Sequence, residues 1–116
     1  MSAAALRKLA LALPEAAESA HMGQPDFRVR GKIFASLHRS DDFVVVMLAP
    51  EQQAHLMAAE PDIFSPAVGA WGRQGWTRVD LKSDRTTMQS ALLAGWRNVA
   101  PKRVVAAYDT ANGAKP

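Results

Sequence analysis

The sequence predicts an α+β fold: a single domain with an antiparallel β-sheet and helices packed on one of its faces. Three observations carry that expectation. Apolar residues recur at helical spacing near both ends, apolar and polar residues alternate with a period of two in the middle, and 116 residues suit one hydrophobic core. The domain is expected over residues 1–110, followed by a flexible tail at 111–116.

Leu6, Leu9, Ala10 and Leu13 share a helical face, with Arg7 and Lys8 between them. Ser2 stands where a cap is needed, so residues 3–13 read as a helix that Pro14 ends. From Phe27 the period becomes two. Phe27 and Val29 alternate with Asp26, Arg28 and Arg30, and beyond Gly31 the residues Ile33, Ala35 and Leu37 alternate with Phe34, Ser36 and His38. This is a hairpin. Val29 and Ile33 share a face if they are partners across a three-residue Arg30-Gly31-Lys32 loop, with Gly31 or a bulge beside it supplying the positive φ. A two-residue loop, with Val29 opposite Phe34 or Lys32, is the alternative.

Ser40-Asp41-Asp42 is a second turn, and the run FVVVMLA that follows is apolar on both faces, as in a central strand. Pro50 opens a helix with Glu51 in its first turn, and Ala54, Met57 and Ala58 or Leu56 form its apolar stripe. Residues 61–75 hold two prolines and three glycines and read as loop or irregular strand. In the strand from Trp76 to Leu81, Thr77, Val79 and Leu81 lie on one face and Trp76, Arg78 and Asp80 on the other. Asp84 or Ser83 caps the last long helix, whose Met88, Ala91, Leu92, Gly95, Trp96 and Val99 form a core stripe. Pro101 starts a further turn through Tyr108.

The chain has no cysteine, which removes disulfides and thiolate chemistry and suits the cytoplasm. The apolar run after Lys8 ends at Leu13, too short for a secretory leader, and no uncharged stretch reaches the roughly 20 residues that span a bilayer. A net charge of +3 and a pI near 9.7 favour polyanions without naming one.

Chemistry is sparse. His21, His38 and His55 are scattered without metal-ligand spacing, and Glu51 stands four residues before His55 as a surface hydrogen-bonding partner. The serines lie in no nucleophile context, and Gly69, Gly72 and Gly75 precede a strand where a phosphate loop would precede a helix. Asp41-Asp42 and the separated Glu15 and Glu18 read as turn and helix-end residues. No catalytic residue, cofactor or metal is therefore expected. What remains is a basic set: Arg28, Arg30, Lys32 and Arg39 around one hairpin, Arg73, Arg78, Lys82 and Arg85 around the second, and Lys102 with Arg103 between the last two helical segments. They are either solvated faces, with Lys102 and Arg103 offsetting a helix dipole, or converging phosphate contacts with Trp71 able to stack.

The segments PDFRVRGKIFASL, APEQQAHLMAA, GWTRVDL and VAPKRVVAAYD, in that order, resemble the MmcQ/YjbR-like family from about Leu6 to Asp109. The resemblance implies a frataxin-like α+β fold and DNA binding through two β-hairpin wings. It places Val29, Arg30, Gly31 and Lys32 on the family's hairpin motif and Pro101, Lys102 and Arg103 on its closing signature. Iron binding, which a frataxin-like fold could imply, would require an acidic ridge on the first helix, and here Glu15 and Glu18 stand against Arg7 and Lys8.

The leading expectation is a small, monomeric, non-enzymatic protein that binds DNA without sequence preference through Arg28, Arg30, Lys32, Arg73, Arg78, Lys102, Arg103 and Trp71. The alternative is a protein-interaction module with Trp71 and Trp76 exposed beside Met47 or Leu48. A third reading, an enzyme, would require a pocket holding a histidine and a carboxylate within hydrogen-bond reach.

Overall fold

A computed structural model describes residues 1–113, which contain α1 (Ala3–Leu11), β1 (Ala16–His21), β2 (Gln24–Val29), β3 (Lys32–Leu37), β4 (Phe43–Met47), α2 (Pro50–Ala59), β5 (Phe64–Pro66), α3 (Ala70–Arg73), β6 (Trp76–Asp80), α4 (Arg85–Val99) and α5 (Lys102–Ala111). The strands form one antiparallel sheet in the order β1-β2-β3-β4-β6-β5. It is the α+β architecture the sequence predicts. Part of the expected tail belongs to the fold, since α5 extends to Ala111, while residues 114–116 lie outside the described residues.

The helix ends follow local chemistry. Ser2 accepts the Ala5 N–H and opens α1, which stops at Leu11, two residues short of the expected end. Asp84, rather than Ser83, caps α4 by accepting the Thr87 N–H at 2.7 Å. The Gln52 side chain accepts the Ala49 N–H at the start of α2. That helix buries no residue fully; its expected stripe reduces to Leu56 and Met57, both only partly covered.

The β2–β3 turn corrects the three-residue expectation. Val29 pairs with Lys32, so Arg30 and Gly31 alone form the turn, with φ of 53° and 81°. Two successive positive φ angles match the right-handed twist of the strands, and glycine takes the second without a steric cost. The register then shifts: Arg28 pairs with Ile33 but Phe27 with Ala35, leaving Phe34 as the extra residue of a β-bulge. Phe34 and Ala35 are therefore both buried, where simple alternation separates them. β1 is an exposed edge strand, joined to β2 by the turn at Met22-Gly23, that the apolar pattern of the sequence does not predict. Glu18 lies on this strand and Glu15 just before it, so neither ends a helix.

One face of the sheet carries Phe27, Ala35, Leu37, Val44, Val46 and Val79, all buried beneath α1 and α4. Trp96 is wholly buried in that layer, donating its indole N–H to Pro14 O at 3.0 Å and lying 5.2 Å from the Tyr108 ring. The close approach of α4 depends on Gly95, where a Cβ would lie 2.5 Å from Val46 Cγ1 and 3.1 Å from Phe34 O. Beside α4 on the same face, α2 is tied down by Gln53, whose amide donates to Gly72 O, Trp76 O and Thr77 Oγ1. Among the described residues no helix is long and apolar enough to cross a membrane.

Candidate functional site

Strand register decides where the basic residues go. The Arg30-Gly31 turn, the start of β1, the end of β4 and the start of β6 all lie at one end of the sheet, because Ala16 pairs with Val29 and Met47 with Trp76. The β5–β6 connection, which contains α3 and so Trp71 and Arg73, spans the same end. The α4–α5 junction joins them: the Asn98 side chain donates to Met47 O, and Trp96 reaches Pro14. Arg30, Lys32, Arg73, Lys102 and Arg103 thus share one end. Lys102 and Arg103 occupy the first turn of α5 itself, where cations meet the unfavourable end of the helix dipole.

These cations differ in how far they are already engaged. Arg30 forks onto Glu15, which its guanidinium holds below the ordinary carboxylate value, with Arg103 adding to the effect through space. Arg28 is displaced from the end altogether, donating to Asp26 at 2.8 and 3.1 Å. Arg78 projects from the middle of β6 onto the open face, its guanidinium 3.9 Å from the centre of the Phe43 ring. The basic set therefore splits between the sheet end and the open face.

That open face is the second feature of note. Residues that alternate with the core, including Ile33, Val45, Phe43 and Trp76, line a groove of about 600 Å³ over β4, bounded by His21 and Gln24 on one side and by the β5–β6 connection on the other. Strands lie about 4.8 Å apart, so β3 and β6 stand roughly 10 Å from one another across this floor. Trp71 rises from α3 to form one wall, 62% exposed, with its ring 6.2 Å from Trp76 and steeply inclined to it at 76°. Trp76 is partly buried, as its strand parity predicts, and pairs with Met47; Leu48, by contrast, is wholly inside the core. His38 stacks on Phe43 at 4.4 Å, so the Phe43 ring meets both an imidazole and the Arg78 guanidinium.

At the groove's far margin, His21 Nδ1 lies 2.7 Å from Asp26 Oδ2. Asp26 is fully buried, and its carboxyl is held below the ordinary value first by the hydrogen bonds from Arg28 and then by His21, against the opposing effect of burial. A carboxylate only accepts, so Nδ1 of His21 carries the proton. A histidine and a carboxylate thus meet at a groove, which the scattered sequence positions did not announce. Their geometry is that of a polar cluster around one buried carboxylate: Arg28 occupies Asp26, His21 is partly exposed, and no hydroxyl is hydrogen-bonded to His21 among the described residues. The signal available in the sequence was the period-two spacing of Asp26 and Arg28, but His21 sits on β1, which the apolar pattern does not predict. The expected Glu51–His55 pair does not form. Among the described residues no group of three or more histidine, cysteine or acidic side chains is placed to hold a metal ion.

A family model described as YjbR matches residues 11–98, and the chain belongs to that family. The matched segment runs from the end of α1 through nearly all of α4 and stops before Lys102 and Arg103. No curated protein and no solved structure matches the chain.

Proposed function

We propose that this YjbR-family chain is a small, cytoplasmic, non-enzymatic protein that binds nucleic acid through the basic end of its sheet. The observation that carries this reading is the register, which sets the Arg30-Gly31-Lys32 tip, Arg73 and the Lys102-Arg103 pair at one end. The β2–β3 hairpin and the β5–β6 pair with its α3 connection serve as the two wings of a frataxin-like, double-wing architecture. Lys32, Arg73, Lys102 and Arg103 make the principal phosphate contacts. Arg30 contributes through its outer edge, and Arg28, forked onto Asp26, contributes least. Such contacts position a phosphate backbone without reading its bases.

Retention on duplex DNA should then fall steeply with salt, each phosphate contact adding about 0.9 to the log-log slope. Replacing Lys102 and Arg103 together by glutamine should lower that slope by about 2. No binding of duplex or single strand at about 50 mM salt and micromolar protein overturns the reading.

A second reading, a protein-interaction surface, is favoured by one observation: Val68 and Trp71, both on the groove lining, are 81% and 62% exposed. It requires mass that rises with concentration or a partner lost on Val68→Ser; a monomer at all concentrations that meets no partner through this patch excludes it.

A further inference from the structure

We propose that the groove on the open face is a binding site for a small planar aromatic carboxylate, with Arg78 as counter-ion and the Trp71–Trp76 corner as stacking wall. This site goes beyond the phosphate contacts at the sheet end and does not depend on them. Its volume of about 600 Å³ falls in the range of small-molecule sites, roughly 300–1,000 Å³.

Charge complementarity selects the anion. Arg7, Arg28, Arg30 and Arg97 each lie on a carboxylate. Arg78 has only the Phe43 ring beneath it and no ion pair or hydrogen bond among the described residues. Its nearest acid along the strand, Asp80, is turned to Lys82, accepting that residue's N–H at 2.8 Å and lying 3.8 Å from its ammonium. Among the described residues no acidic side chain lines the groove, whereas His21 and His38 do. Asp26, beside His21 at the groove's margin, is fully buried and committed to Arg28 and His21. A guanidinium that rests 3.9 Å over a ring, lines a groove and has no acidic partner among the described residues can take the two oxygens of a carboxylate.

The walls select the shape. The indoles of Trp71 and Trp76 meet at a steep angle, so a flat ring laid on one face meets the edge of the other, the arrangement aromatic groups favour. Ile33 and Val45 supply an apolar floor. An aliphatic acid would satisfy Arg78 and leave the exposed indole of Trp71 uncovered.

Calorimetric titration with 2-naphthoate, neutral 2-naphthalenemethanol and acetate tests the assignment. The wild-type chain should bind naphthoate about tenfold more tightly than the alcohol, the effect of one charge-assisted pair, and acetate not measurably. Arg78→Gln should make naphthoate and the alcohol equal, Arg78→Lys should restore part of the preference, and Trp71→Ala should weaken both alike. Circular dichroism on each variant establishes that it is folded, and both substituted side chains lie on the open face. The proposal is overturned by an absence of naphthoate binding up to about 1 mM, or by a preference for the acid that survives in Arg78→Gln. It is equally overturned if oligothymidylate displaces naphthoate at lower concentration, which assigns the groove to a nucleic-acid strand, or if naphthoate binding disappears as the chain self-associates, which assigns it to a second copy. Failure of salt-dependent DNA binding leaves these outcomes unchanged, so the two readings fail separately.

Discussion

On the covered face of the sheet Phe27, Val46 and Val79 have no exposure beneath α1 and α4, whereas one residue away on the same strands Arg28 is partly exposed and Val45 and Arg78 line a groove open to solvent. The two faces share every backbone hydrogen bond and differ in what lies above them. Covered positions are constrained by shape: Gly95 must lack a Cβ for α4 to approach, and Trp96 must fill the space left under it. Open positions are constrained by partnership. A charge is tolerated there when another group meets it, as Arg28 meets Asp26, or when water does.

The sharpest way to break the comparison is Trp96→Ala. Removing this buried indole from the covered face should cost about 4 kcal/mol, and the Pro14 carbonyl would lose its donor as well. Chemical denaturation measures this directly. A loss comparable to that of an exposed substitution would show that the covered layer is not the source of stability.

Asp26→Asn comes next, with a cost of about 2 kcal/mol at neutral pH, because the fully buried site loses the charge that receives Arg28 and His21. The sign of its pH dependence follows from the lowered carboxyl value. Stabilisation by Asp26 is complete above the ordinary aspartate value of 3.8 and is lost as pH falls through that value toward the lowered one. Denaturation midpoints followed below pH 4 should therefore converge for wild type and variant. A difference that stays constant through the acid range would remove the Asp26 cluster as its cause.

The smallest effect is expected from Trp71→Ala, within about 0.5 kcal/mol, since this indole stands mostly in solvent. A large loss of stability would mean that the wall of the groove is part of the core, and the contrast between the faces would weaken.

Much of the covered face was legible in the sequence. The helical spacing of Met88, Ala91, Leu92, Gly95 and Trp96 marked the stripe that is buried, and the parity of Thr77 and Val79 against Trp76 and Arg78 placed each on its proper face. Periodicity reports burial on one side of a regular element, so it succeeds where the element is regular. It failed at Phe34, where a bulge puts two neighbours on one side, and at β1, whose exposed AAESAH has almost no buried face to register. The short β5 and α3 were hidden for a related reason: three or four residues among prolines and glycines give no period.

By itself the sequence determined the class of fold, the capped start of α1 and the core stripe of α4, because capping groups and apolar periods act over a few residues. The candidate sites were decided elsewhere. His21 and Asp26 are joined by strand pairing, Arg78 and Phe43 by adjacent strands, and the hairpin tip meets the α4–α5 junction only when α4 is laid across the sheet. Such meetings depend on register and on the packing of distant segments, and a change of register by one residue would turn each side chain to the opposite face.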